Sequence, residues 1–370
     1  MISHAEFFTE NGIKEDFFTV VSCPCSDFRK EAADLLERYE NALIKYGCSP
    51  ESEILLRFHL SDVTNQSHVL EELLRERCVC ISIVGQPPVG NSRIALEAWH
   101  WSGIRKKEKK GGLHINLQNY NSLWFNLDKL SAVGSYDQTY EEFSLLKEEL
   151  SGCGANVADH TVRTWLYCRD VDNNYADLVQ ARNKFFAENG LSKDTHFIAS
   201  TGIEGQSAVV NRLVRMDSVS YPNLLPGQMQ YLTAPEMLSP TTVYGVSFER
   251  ATRLIFGDRS HYFISGTASI DKDGVVVYPF DVQKQTRRML ENIEALLKAG
   301  DADISDIISG TLYLRDLADA ELVLPVVREK LGPRPVLVTV KAPVCRPAWL
   351  VELECIAINS KGNSKFLPLL

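Results

Sequence analysis

Three octets of this chain read alike, and their repetition constrains the fold more than any other feature. Residues 55–62 (LLRFHLSD), 163–170 (RTWLYCRD) and 309–316 (SGTLYLRD) each look like a strand that ends in Asp. A helical segment precedes each one, over residues 28–46, 139–150 and 282–298, with the spacing of Met289, Ile293, Leu296 and Leu297 typical. A second helical segment follows each Asp, over 67–75, 175–188 and 320–330, and then a closing pair of strands. In the first copy that pair is 79–84 and 93–99, joined through Gly85, Gln86, Pro87 and Pro88. The pattern predicts three α+β units, 1–103 (the most degenerate), 112–222 and 243–360. An isolated unit of this kind leaves one sheet face bare. Three sheets packed about a pseudo-threefold axis remove that problem within one chain, so we expect a monomer or a loose dimer.

Composition narrows the class. The 370 residues are 45% apolar, ample for a layered core, and no run is long enough to span a bilayer. The first residues do not read as a signal peptide, and a net charge of -9 argues against a nucleic-acid surface. The nine cysteines are scattered; Cys23/Cys25 and Cys78/Cys80 lack CxxC spacing. They read as reduced thiols of a cytoplasmic protein. No GxSxG and no His/Asp/Glu cluster with metal spacing is present, so neither a metal nor a cofactor is expected. Two connectors separate the units: the basic run at 105–112, read as a solvated linker, and a turn-rich strap over 221–240.

The richest stretch is 332–358, GPRPVLVTVKAPVCRPAWLVELECIAI. Residues 336–340 and 350–354 alternate as half-buried strands do, with Pro343 and Pro347 between them. Val351, Leu353, Cys355 and Ala357 fall on one face and Glu352 and Glu354 on the other. Hairpin-like pairing of the two strands would bring Arg334 and Glu352 to one cleft.

Residues 263–268 (FISGTA), 281–286, 292–297, 313–316 (YLRD), Arg334 and 352–357 (ELECIA) resemble the Rid family (YjgF type). That family forms trimers of small α+β subunits with clefts between neighbours. Its enamine/imine deaminases use an arginine for the substrate carboxylate and often a glutamate to position water; Arg334 and Glu352 fall on those positions. The whole chain resembles the chorismatases, single-chain relatives built of Rid-like units. The resemblance rests on 84–88 (VGQPP), 162–167 (VRTWLY), Tyr175 through 183–186 (NKFF), 199–203 (ASTGI) and 244–251 (YGVSFERA). It implies cleavage of the enolpyruvyl ether of chorismate, releasing pyruvate and a hydroxybenzoate (3-hydroxybenzoate favoured) or a dihydroxycyclohexadiene carboxylate. It also implies Glu352 as the acid, with Arg163 and Arg334 holding carboxylates. A Rid-type deaminase and a non-catalytic Rid-like binding protein are the alternatives.

The repeat tests these roles independently, because positions that serve one cleft should break its symmetry. Arg163 matches Leu55 and Ser309, and Arg334 lies opposite Val79, so neither charge is required by its strand. Counted from Pro88 and Pro343, Glu97 takes the place of Glu352 in the first copy, and Arg215 takes it in the second. A shared structural role for the two glutamates therefore competes with general acid catalysis. Tyr221 and Tyr244 are candidate phenol donors, and Cys345 a candidate shaper of the cavity. Ser265, Gly266, Thr267 and Ala268 read as a substrate-lining turn, and the working cleft is expected between the second and third units.

Overall fold

The computed structural model describes residues 1–9, 12–109, 112–126 and 130–370. The first sheet comprises β1 (Ile2–Phe8), β2 (Lys14–Val21), β3 (Glu53–Leu60), β4 (Cys80–Gly85) and β5 (Ile94–Trp101), backed by α1 (Phe28–Tyr46) and α2 (Val63–Leu73). The second comprises β6 (Arg105–Lys109), β7 (Gly112–Asn116), β8 (Asn121–Asn126), β9 (Thr161–Cys168), β10 (Ala199–Glu204) and β11 (Val214–Ser220). Its helices are α3 (Ser135–Ser151), the short α4 (Val157–His160) and α5 (Val171–Glu188). The third comprises β12 (Met229–Leu232), β13 (Ala251–Ile255), β14 (Ser260–Ala268), β15 (Ile307–Leu314), β16 (Val336–Lys341) and β17 (Val351–Asn359), with α6 (Val282–Ala299) and α7 (Ala320–Leu331).

The strand orders β1-β2-β5-β3-β4, β7-β8-β11-β9-β10 and β13-β14-β17-β15-β16 are one five-strand topology written three times, to which β6 and β12 add an edge strand in the second and third sheets. In each, a parallel pair (β3/β4, β9/β10, β15/β16) sits beside a long antiparallel strand (β5, β11, β17). Even a backbone irregularity recurs. The register slips at Glu53/Leu55, at Arg163/Thr161 and at Ile307/Ser309, the same place in every copy. The chain is therefore α+β, with three Rid-like units about a pseudo-threefold axis.

Amphipathic helices explain what each sheet buries outside. In α1, Ala32, Leu35, Leu36, Tyr39, Ala42 and Leu43 form the buried stripe, Asp27 caps the start through Arg29 N at 2.8 Å, and Gly47 ends it at φ +68°. The inner faces meet one another. Trp99 of the first sheet packs edge-on against Trp124 of the second (5.3 Å) and beside Phe263 of the third (6.3 Å).

The structure departs from the sequence reading in three places. The basic run at 105–109 is a strand, not a linker, because its backbone pairs with β7 and Lys106 Nζ reaches the carbonyls of Pro50 (2.8 Å) and Glu53 (2.9 Å); Lys110 and Gly111 lie outside the described residues. The strap carries β12, which extends the third sheet. The predicted hairpin of β16 and β17 does not form. The connection through α7 lays β16 parallel to β15, which stands between the two strands.

The register also realigns the copies. Arg57 pairs with Glu97, Trp165 with Asp217, and Thr311 with Glu354. The equivalent acids are thus Glu97, Asp217 and Glu354, whereas Glu352 is equivalent to Ala95 and Arg215. All three equivalent acids reach Arg57: Glu97 at 3.6 Å, Asp217 at 3.4 Å and Glu354 at 3.9 Å. The cluster is buried. A buried cation surrounded by acids from three sheets costs far more to remove from one side than it contributes as a pair. Arg57→Met should therefore destabilise the protein by about 3–5 kcal/mol. The urea midpoint measures this, and an unchanged midpoint would show that the cluster does not hold the sheets.

Candidate active site

A cleft at the seam of the second and third units encloses about 480 Å³ of empty space, part of it open to solvent. The seam is tied by backbone contacts Ala199/Glu249 and Ile203/Val344, and by Glu204 N to Pro343 O at 3.2 Å. Its wall combines Tyr175 and Arg182 of α5, Ser200, Thr201 and Gly202 of β10, and Gly266 and Ala268 of β14. The segment 244–250 adds Tyr244, Val246, Phe248 and Arg250, and the loop before β17 adds Cys345, Arg346 and Trp349. Glu352 is the one carboxylate among the described residues of its wall.

The strand alternation delivers Glu352 here. Val351 and Leu353 join the apolar core, while Glu352 and Glu354 point to the other face. On β14 the register slips between Ile264 and Thr267, so Ser265 and Gly266 bulge opposite Glu354. The bulge makes room for the acid, since a Cβ on Gly266 would collide with Oε1 of Glu352. Gly202 serves Tyr175 in the same way, its missing Cβ leaving space 2.7 Å from the ring.

Glu352 is buried and makes no hydrogen bond or ion pair to any described residue. Burial, reinforced by the neighbouring charge of Glu354, pushes its carboxyl up to about 8, although Arg163 and Arg250 pull the other way. At neutral pH it holds a proton. Cys345 and Tyr244 are raised to about 12 chiefly by burial, so both keep their protons too.

Three guanidiniums share the cavity wall with this acid, among aromatic side chains. Arg250 is braced on Ser239 O (2.9 Å) and stacks over Tyr244 and Phe248, both at 5.4 Å. Arg346 donates to Tyr244 O (3.1 Å) and stacks on Tyr244 (5.3 Å) and Trp349 (5.9 Å). Arg182 is buried, and its Nε and Nη2 have no hydrogen-bond partner among the described residues. Trp349 Nε1 is likewise unpaired. Buried donors rarely stay unpaired, so the wall is set up for an acceptor-rich ligand.

The residues singled out from sequence divide. Glu352, Tyr244, Cys345, Gly266 and Ala268 line the cavity. Arg163 does not; its guanidinium is spent on Glu354 (2.8 Å), Ser265 Oγ (3.2 Å) and Thr201 Oγ1 behind the wall. Ser265 Oγ also accepts from Ser200 N (2.9 Å) and donates to Glu249 O (2.6 Å), so it braces the seam. Thr267 turns its hydroxyl to Ser265 O. Arg334 is exposed and bonded to Ser305 O, carried away from Glu352 by the intervening β15. Tyr221 is buried against Phe256 (5.8 Å), outside the cavity wall. Arg182, Arg250 and Arg346 were missed. Arg182 had a visible signal: it sits on the buried stripe of α5 with Leu178, Ala181, Phe185 and Phe186. Potential metal-ligand groups among the described residues, His114/Glu149/Cys153 and His4/Glu6/Asp16, do not line the cavity.

The raised Glu352 carries a stability signature. Its ordinary value is 4.5. Between there and about 8 the folded chain binds more protons than the unfolded one, so this group's contribution to stability falls as pH rises through that window. Glu352→Gln removes that loss. The variant should match wild type near pH 5 and exceed it at pH 8 by on the order of 1–4 kcal/mol. Thermal melts at the two pH values measure this; a variant less stable at pH 8 would contradict it.

The model of the Endoribonuclease L-PSP family matches residues 255–359. RutC family protein UK114 of Drosophila melanogaster is 33% identical over 115 residues, 30% of this chain and 80% of that protein. A 3-hydroxybenzoate synthase of Streptomyces hygroscopicus is 27% identical over 218 residues, 53% of this chain and 63% of that protein. A crystal structure of a chorismatase superposes with a TM-score of 0.65 at 19% identity, covering 83% of this chain and 93% of its own, so the likeness of fold extends well beyond the third unit. With four-fifths of a RutC protein matched at 33% identity, this chain belongs to the RutC (Rid, YjgF-type) family.

Proposed function

We propose that this protein cleaves the enolpyruvyl ether of chorismate, with Glu352 as general acid. The observation that carries the reading is a protonated carboxyl without a protein partner in a cavity that holds three guanidiniums. Chorismate presents two carboxylates on a small unsaturated ring. Arg182, Arg250 and Arg346 supply planar forks for the carboxylates, and Phe248, Tyr244 and Trp349 supply faces for the ring. The likeness to a 3-hydroxybenzoate synthase and to a chorismatase supports the same substrate.

The chemistry needs one proton and no cofactor. Glu352 gives its proton to the enol-ether methylene carbon, which becomes a methyl group, and the double-bond electrons leave an oxocarbenium ion at the ether carbon. Addition of water there and collapse of the hemiketal release pyruvate and the dihydroxycyclohexadiene carboxylate, and the proton lost from water restores Glu352. The 3-hydroxybenzoate outcome, which we favour from the similarity, consumes no net water: chorismate divides into pyruvate and the aromatic acid. Cys345, whose thiol neighbours Glu352, stands where the fate of the ring is decided. The deaminase alternative requires Arg334 in the cleft, and its bond to Ser305 O outside the cavity weighs against it.

Purified protein should release pyruvate from chorismate, and chromatography should identify the ring product. Glu352→Gln should lower kcat by roughly 10²–10⁴-fold with little change in KM. Arg182→Met, losing a fork but no proton, should raise KM about tenfold or more, a loss near 1.4 kcal/mol. No pyruvate from wild type, or full turnover by Glu352→Gln, would sink the reading.

A further inference from the structure

We propose that Glu354 is a positioning residue for this reaction, a fixed negative charge locked behind the cavity wall that keeps Glu352 in its proton-carrying form. The inference rests on the function proposed above, but its physical content can be tested without substrate.

Glu352 and Glu354 are two residues apart on one face of β17, so their Cα atoms are about 7 Å apart. Their surroundings are opposite. Glu354 Oε2 accepts from Arg163 Nη2 at 2.8 Å and its Oε1 from Trp165 Nε1 at 2.8 Å, with Arg57 Nη1 at 3.9 Å. Arg163 is itself pinned by Ser265 and Thr201, and Thr201 Oγ1 also accepts from Gly266 N at 2.8 Å. One carboxylate is therefore tied to an indole and two guanidiniums, and its neighbour is left without a partner among the described residues. Two carboxyls this close in a buried setting do not both ionise readily.

Other charges facing Glu352 come from the elements around it. Arg163 on β9 and Arg250 after the strap favour its ionised form, whereas Tyr244 and Cys345 are neutral neighbours. Arg182 of α5 and Arg346 of the loop lie on the same wall, and Tyr313 pairs with it across β15. Glu354 is thus the one charge in this set that opposes ionisation, and burial is its ally. The repeat underlines the division of labour. Glu354 has counterparts in Glu97 and Asp217 and belongs to the axial cluster, so a structural acid common to all three units is turned to use at one seam.

The test replaces Glu354 with Gln, which keeps an acceptor for Trp165 but removes the charge. The titration of Glu352 in substrate-free protein is followed by its carboxyl infrared band, assigned by difference against Glu352→Gln. In Glu354→Gln that titration should move at least one pH unit to acid. With chorismate, kcat at pH 8 should fall about fivefold or more, recover near pH 6, and leave KM within about threefold. Glu354→Asp, which retains the charge, should titrate closer to wild type than to Gln. Should Glu354→Gln not fold, Glu354→Gln/Arg163→Gln removes the ion pair whole and should shift the titration the same way by less. An unmoved Glu352 titration in a folded charge-free variant overturns the proposal. Chorismate left uncleaved by wild type would instead overturn the proposed function, while the infrared titration still decides the role of Glu354.

Discussion

One guanidinium, that of Arg57, faces an acid from each of the three sheets, and the architecture depends on that convergence. Glu97, Asp217 and Glu354 occupy equivalent positions on the long strand of their units and meet Arg57 within 3.4–3.9 Å. The Trp165 ring carries both this guanidinium and that of Arg163, at ring-to-cation distances of 4.6 and 5.0 Å. Apolar packing alone tolerates small slips between sheets; a buried cation with three carboxylates does not, because any slip leaves a charge unpaired. Fixing the long strands at this point also fixes Glu352, two residues further out on β17, at the seam.

The three seams are not equal, and the inequality makes one site. The positions matching Glu352 are Ala95 at one seam and Arg215 at another, and Arg215 Nη1 donates to Ile83 O at 2.7 Å. Around Gly85 the seam of the first and second units is tight: a Cβ there would meet Val63 at 2.8 Å and Gln206 at 2.9 Å. At the seam of the second and third units, by contrast, Gly202 and Gly266 are also closely approached, but by Tyr175 and Glu352, two groups of the cavity itself. The same absence of a side chain closes one seam and furnishes another.

Much of this was legible in the sequence. The three strand-Asp octets gave the repeat because a buried strand beside a helix writes the same apolar rhythm each time. Glu352, Tyr244, Cys345 and Gly266 came from local pattern and resemblance, and all line the cavity. What failed depended on pairing that no local pattern records. Arg334 seemed close to Glu352 only if β16 and β17 were neighbours, and β15 separates them. Glu97 matched Glu352 by counting from Pro88 and Pro343, yet strand register pairs it with the position of Glu354. That error hid the strongest evidence for Glu352, which the true register leaves without an acidic counterpart. The missed arginines are distant in sequence and converge only through tertiary packing, although Arg182 on the buried stripe of α5 was a charge out of place.

Catalysis in this cleft turns on one acid, Glu352, that still holds its proton at neutral pH. The most direct measurement is the pH dependence of kcat/KM for pyruvate release by the wild-type protein, which reports groups of the free enzyme. Both chorismate carboxylates remain ionised from pH 6 to 10 and add no break of their own. The profile should be level at low pH and fall about tenfold per unit above a pKa of about 8. A profile that rises through pH 8, or one already falling above pH 5, would mean that Glu352 does not deliver the proton.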